Sequence, residues 1–189
     1  ACCRNHGGAC DLAVILGYRY VVKEEIMSWN KIAGFFGLAS CVVFWLSSFV
    51  LGALRPSYSH ITNTLSELGA IGTPNALTWN IIGFIASGLM LAISGGLIAL
   101  LIPREKSAAN ILACVLLVIA GLAVAMQGVI PAEMSNGVAD ITSPHTRGHF
   151  ISSLISGAAW VIGVLLLIGP MKRNPYWHGW YIVLSLIHI

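Results

Sequence analysis

A chain of 189 residues in which 57% are hydrophobic and only 9% charged cannot coat a water-soluble globule, which ordinarily takes about a quarter charged residues. Its mean hydropathy of +0.84 makes lipid the solvent. The formal net charge of +3 is scattered over loops without a basic stripe or an aromatic platform, which argues against nucleic acid as a partner. Of the five cysteines, Cys2, Cys3 and Cys10 lie at the start of the chain, and Cys41 and Cys114 lie inside apolar runs. They form neither a disulfide framework nor a paired C-x-x-C zinc arrangement.

Residues 1–26 mix cysteines, charges and a short apolar run, Leu12 to Gly17, ahead of Met27-Ser28-Trp29-Asn30-Lys31. That segment reads as a non-native or disordered leader, with a cytosolic tail as the alternative. A signal peptide fits poorly, because the run is short and preceded by Asp11. Residues 27–189 read as a single integral membrane domain. Ile32 to Leu54 and Leu77 to Ile102 contain no charge, and at about 23 and 26 residues either crosses a hydrocarbon core of about 30 Å. Further spans are expected over 108–130 and 149–168, and a fifth begins at Trp180 and stops at Ile189, where Leu184 to Ile189 looks foreign. The fold class is therefore all-α: a polytopic transmembrane helical bundle of four complete spans plus a truncated fifth.

Gly88, Ala92 and Gly96 in the second span, and Gly121 and Ala125 in the third, are small enough to let helices approach closely. Asn80, Ser87 and Ser94 recur every seven residues as a mildly polar stripe turned toward the bundle interior. The short connection Pro103 to Ser107 makes spans two and three antiparallel neighbours. Gln127 is a strongly polar side chain near the far end of span three and needs a partner in lipid.

Two polar islands, 55–76 and 132–148, separate the spans. In the first, Ile61, Leu65 and Leu68 at helical spacing predict a short interfacial helix, ended by Gly69 and followed by Pro74. Lys31, Arg104, Lys106, Lys172 and Arg173 fall on one side of the membrane and only Arg55 and Arg147 on the other. The positive-inside bias then puts the N-terminus in the cytoplasm and both islands outside, in a multi-pass cell-membrane protein. In the second island, Ser143-Pro144 is a strong helix start. Beyond it His145, His149, Ser152 and Ser156 form one helical face, expected to turn inward toward Gln127 and Asn80 with Glu67, Glu133 and Asp140 overhead.

Three readings of that face stay open. In a structural one, His145 and His149 hydrogen-bond Glu67 or Asp140 and clamp the two loops together. In a binding one, His60, Glu67, Gln127, Glu133, Asp140, His145, His149 and Ser152 form a polar patch for a lipid headgroup or small solute. In a catalytic one, His145, His149 and Asp140 hold zinc with an open position for water, giving a membrane-embedded metal-dependent hydrolase. No H-E-x-x-H supports the last, and no G-x-S-x-G surrounds Ser152 or Ser153.

The run Asn63-Thr64-Leu65-Ser66-Glu67-Leu68-Gly69-Ala70, with Pro74-Asn75-Ala76 after it, resembles the first extramembrane loop of the uncharacterised polytopic membrane proteins grouped as domain of unknown function 998. Gly128-Val129-Ile130-Pro131 and His145-Thr146-Arg147-Gly148-His149 are similar to that family's later turn and histidine pair, so the likeness covers Met27 to about Tyr181. It implies a helical protein of about six spans and carries no established activity. A looser similarity to eukaryotic membrane proteins associated with lipid handling and autophagy names no chemistry. The expectation is an integral membrane protein that is non-catalytic and lipid- or ligand-associated, the hydrolase being the alternative.

Overall fold

The computed structural model describes residues 7–101, 108–135 and 138–173. Four helical stretches have the length and hydropathy to cross a membrane: Lys31–Ala53, Ala76–Leu100, Ala108–Val129 and Pro144–Ile168. Leu38, Leu46, Phe49, Leu89, Leu122, Leu154 and Leu165 stand exposed along them, as side chains whose solvent is acyl chain rather than water. The protein is a multi-pass, all-helical membrane protein, and the four expected spans are present with small shifts at their ends. The largest shift is in span four, whose helix opens at Pro144 rather than at 149. The connection Pro103 to Ser107 and the fifth span over 180–189 lie outside the described residues. The first helix is longer than a span: it runs unbroken over Gly7–Ala53, so the stretch read as a leader is helical from Gly7 onward.

Span two packs between spans one and three, and span three packs between spans two and four. The closest approach is between spans two and three. A Cβ on Gly88 would lie 2.5 Å from the Ala125 nitrogen and 2.6 Å from the Gly121 carbonyl, and one on Gly121 would lie 2.5 Å from the Ala92 nitrogen and 2.6 Å from the Gly88 carbonyl. The small residues singled out in sequence thus interlock reciprocally, backbone against backbone. Gly96 does not join them, since nothing lies within 4 Å of its Cβ position.

Of the Asn80, Ser87, Ser94 stripe, Ser87 and Ser94 meet span one, while Asn80 turns to the first loop. The Ser40 hydroxyl donates to the Ser87 carbonyl at 2.8 Å and the Ser94 hydroxyl to the Ala33 carbonyl at 2.9 Å. In lipid such cross-helix bonds hold polar groups that water would otherwise satisfy.

The two polar islands sit at the same end of the bundle, where the Ile71 N–H donates to the Ala132 carbonyl at 2.9 Å. Under the first lies a cluster of Leu51, Leu68, Trp79 and Phe84, with Phe44, Tyr58 and Leu65 against it. The predicted interfacial helix is shorter than its periodicity suggested: a 3₁₀ turn over Leu65–Gly69. Leu68 is buried, but Ile61 is 94% exposed and takes no part. The start is set by chemistry rather than by hydropathy. The Glu67 carboxylate reaches back to the Thr64 N–H at 2.8 Å, the carboxylate half of a capping box, and this fixes the first turn at Leu65. Span two then leaves Asn75, which has a left-handed φ of 59°, and is wound as a π-helix over Trp79–Ala86 before returning to α geometry at Ser87. The Trp79 ring folds back over Gly83, where a Cβ would lie 2.5 Å from it, so only glycine lets the indole lie there.

Candidate functional site

The helix of span four opens at Pro144, where Ser143-Pro144 predicted a helix start, but not through a serine cap. The Arg147 N–H donates to the Ser143 carbonyl at 3.1 Å, while the buried Ser143 hydroxyl has no partner among the described residues. One turn in, Thr146 replaces the expected histidine clamp. Its hydroxyl accepts from the Glu133 N–H at 2.9 Å and donates to the Glu133 carbonyl at 3.3 Å, folding the second loop onto the helix.

His149 is the centre of the polar face. Its ring is 2% exposed, with Nδ1 at 3.2 Å from the Gln127 carbonyl and 3.0 Å from the Ile130 carbonyl. Both are terminal acceptors at the end of span three, where the helix has no further N–H to offer them. A nitrogen facing two carbonyls carries the proton, so in the neutral ring Nε2 is left as the acceptor. Nε2 is buried and has no hydrogen-bond partner among the described residues.

Gln127 finds the partner that lipid demands. Its Nε2 donates to the Ser156 hydroxyl at 3.2 Å, and its Oε1 accepts from the Ser153 hydroxyl at 3.0 Å. Sequence spacing missed Ser153 in favour of Ser152. Residues three and four beyond His149 both lie near its face, and the one four on meets Gln127.

Phe84 stands edge-on to both neighbouring rings, 5.2 Å from Trp79 and 5.7 Å from His149 between centroids. Asn80 donates from Nδ2 to the Gly69 carbonyl at 2.9 Å, pinning the first loop to span two. Its Oδ1 and the Trp79 indole N–H are buried without a partner among the described residues. Both border Gly69, whose Cβ position touches Asn80 Oδ1 and lies 2.6 Å from Trp79 Cδ1.

The remaining residues proposed from sequence stay apart from this centre. His145 is exposed. His60 is exposed too, its ring 5.1 Å from Phe49 and 5.0 Å from Tyr58. Ser152 and Glu133 are half-buried. Asp140 is taken up by its own loop, accepting from the Thr142 N–H at 2.9 Å and the Thr142 hydroxyl at 2.6 Å. The Thr142 hydroxyl and N–H hold its carboxyl below the usual range, opposed by slight burial and helped by the Ser143 N–H and the Arg147 charge. Among the described residues no three His, Cys, Asp or Glu side chains come together as a metal-binding group. His145, His149 and Asp140 are therefore not assembled as zinc ligands, and the clamp between histidine and Glu67 or Asp140 is replaced by the backbone bond from Ile71 to Ala132.

Glu67 is equally self-contained. Besides the Thr64 N–H it accepts from Asn63 Nδ2 at 2.7 Å and the Thr64 hydroxyl at 3.1 Å, and the Arg55 guanidinium donates to its carbonyl at 2.8 Å. Burial pushes its pKa upward, but the Thr64 N–H, the Asn63 and Thr64 side chains and the Arg55 charge together outweigh it and leave the pKa lowered. Burial and the Glu67 charge raise that of Tyr58, against the pull of Arg55. A carboxyl lowered on folding contributes stability that is present above its unfolded value and is lost as pH falls through the folded one. The Thr64 amide is accordingly expected to lose hydrogen-exchange protection as pH falls through the window below the ordinary glutamate value of about 4.3. In Glu67→Gln the protection should be weaker at neutral pH and flat across that window; an equally steep loss in the variant would show that another group drives it.

No curated protein and no solved structure matches the chain. A family described as Protein of unknown function (DUF998) matches residues 38–187, a range that takes in most of span one, both joined loops and the whole His149 centre, and the chain belongs to that family.

Proposed function

We propose that this is a non-catalytic membrane protein that holds a lipid headgroup or small polar solute beneath its two joined loops, with His149 as the anchor. One observation carries the reading. His149 Nε2 is a buried acceptor without a protein partner, while Nδ1 of the same ring and both ends of the Gln127 amide are engaged. An unpaired buried acceptor costs about 1–3 kcal/mol, which a donor brought by a ligand removes. The lysine and arginine asymmetry supports a cytoplasmic N-terminus in the cell membrane, so that loops 55–76 and 132–148 face outward.

The test is thermal denaturation of the full chain in phosphatidylcholine nanodiscs, doped in turn with phosphatidylglycerol, phosphatidylethanolamine or an uncharged glycerolipid. At saturation, one class should raise the midpoint by about 5 °C. His149→Phe, which keeps a ring and loses the acceptor, should abolish that increment whatever its own starting midpoint. If no class gives an increment, or if the increment is the same in His149→Phe, the reading is wrong.

A further inference from the structure

Resting on that reading of the site, we infer that the group held at His149 is a free hydroxyl of an uncharged acylglycerol. Three observations select it. The first is the state of the ring. With Nδ1–H committed to the Gln127 and Ile130 carbonyls, Nε2 offers a lone pair and asks for a donor, whereas a phosphate or carboxylate brings only acceptors.

The second is charge. Both arginines of the roofing loops hold backbone carbonyls, Arg55 that of Glu67 and Arg147 that of Thr142, and neither is hydrogen-bonded to the His149 centre. Glu67 and Asp140 are spent on their own loops, which leaves only Glu133 among the loop carboxylates for an ammonium headgroup. The walls are apolar, with the Phe84 ring at 5.7 Å and the Phe150 ring at 6.4 Å from the imidazole.

The third is the complement of atoms. Packed against Phe84 as His149 is, Trp79 holds a buried donor in Nε1, and next to it in the chain Asn80 Oδ1 is a second buried acceptor, both without partners among the described residues. Asn80 is 7% exposed and Trp79 is fully buried. Two acceptors and one donor in apolar surroundings are matched by two hydroxyls and one ester carbonyl, the polar end of a monoacylglycerol. A diacylglycerol supplies one hydroxyl fewer, and a triacylglycerol none. The Phe84 edge on His149 joins span two to span four.

The experiment uses the full chain labelled with ¹⁵N-histidine in phosphatidylcholine nanodiscs. His149→Asn assigns the buried ring; should that variant not fold, single alanine substitutions of His6, His60, His145, His178 and His188 each remove one other resonance and assign it by elimination. The expected result is that 1-oleoylglycerol moves the His149 Nε2 resonance and raises the melting midpoint, 1,2-dioleoylglycerol does so more weakly, and triolein does neither. Equal responses to triolein and 1-oleoylglycerol overturn the inference. Movement of the resonance only with phosphatidylglycerol or phosphatidylethanolamine overturns the uncharged acylglycerol and leaves the headgroup site standing. Silence with every lipid overturns both.

Discussion

Gly121→Leu is expected to lower the thermal midpoint by about 10 °C or to prevent folding, while Gly96→Leu leaves it within about 2 °C. The two glycines look alike in a hydropathy profile and differ in what faces them. A side chain at Gly121 is driven into the Ala92 nitrogen and the Gly88 carbonyl, which are backbone atoms that cannot rotate aside; at Gly96 it enters open space. Overpacking typically costs about 1–3 kcal/mol, and more when the obstacle is main chain. That is a large share of a stability of about 5–15 kcal/mol. Size-exclusion chromatography of heated, detergent-solubilised protein reads the midpoint. Equal midpoints for the two variants would mean that spans two and three are not interlocked at this point.

His149→Phe is expected to cost about 1–3 kcal/mol, or about 5 °C in midpoint, and His145→Phe nothing measurable. Phenylalanine preserves the edge contact with Phe84 but leaves the Gln127 and Ile130 carbonyls facing an apolar ring. The damage should be local to the end of span three. Hydrogen exchange on either side of Gln127 should quicken, and exchange around the Gly88 and Gly121 crossing should not. If His145→Phe proved the more damaging, the two histidines would have exchanged roles and the site would be misplaced.

That contrast also marks how far the sequence can be read. Four spans were legible because runs of uncharged residues long enough to cross lipid have few other uses. The Gly88, Ala92, Gly121 and Ala125 contacts were legible because only small residues permit close crossing, and the need of Gln127 for a partner followed from the cost of an amide in hydrocarbon. Membership of the family was legible in the loop run Asn63 to Ala70.

What failed was phase and partner choice. His145 and His149 share a face at helical spacing, yet the neighbouring helix covers only the deeper one. Ser152 and Ser153 flank the bearing of His149 on opposite sides, about 60° and about 40° from it, so spacing alone did not choose between them. Ile61 fits the periodicity of Leu65 and Leu68, but the Glu67 cap starts the turn after it. That the loops meet was expected, but the bond that joins them was invisible, because it is made by backbone atoms of Ile71 and Ala132 that every residue carries.

The wide winding of span two over Trp79–Ala86 has an effect on the whole molecule. A π-turn holds more residues than an α-turn, so it resets the angular bearing of everything on its outer side. Trp79 and Asn80 answer to the first loop, while Ser87, Gly88 and Ser94 answer to spans one and three. The segment sets the angular offset between two fixed sets of neighbours, so that one span meets the crossing below and the loop above with different faces.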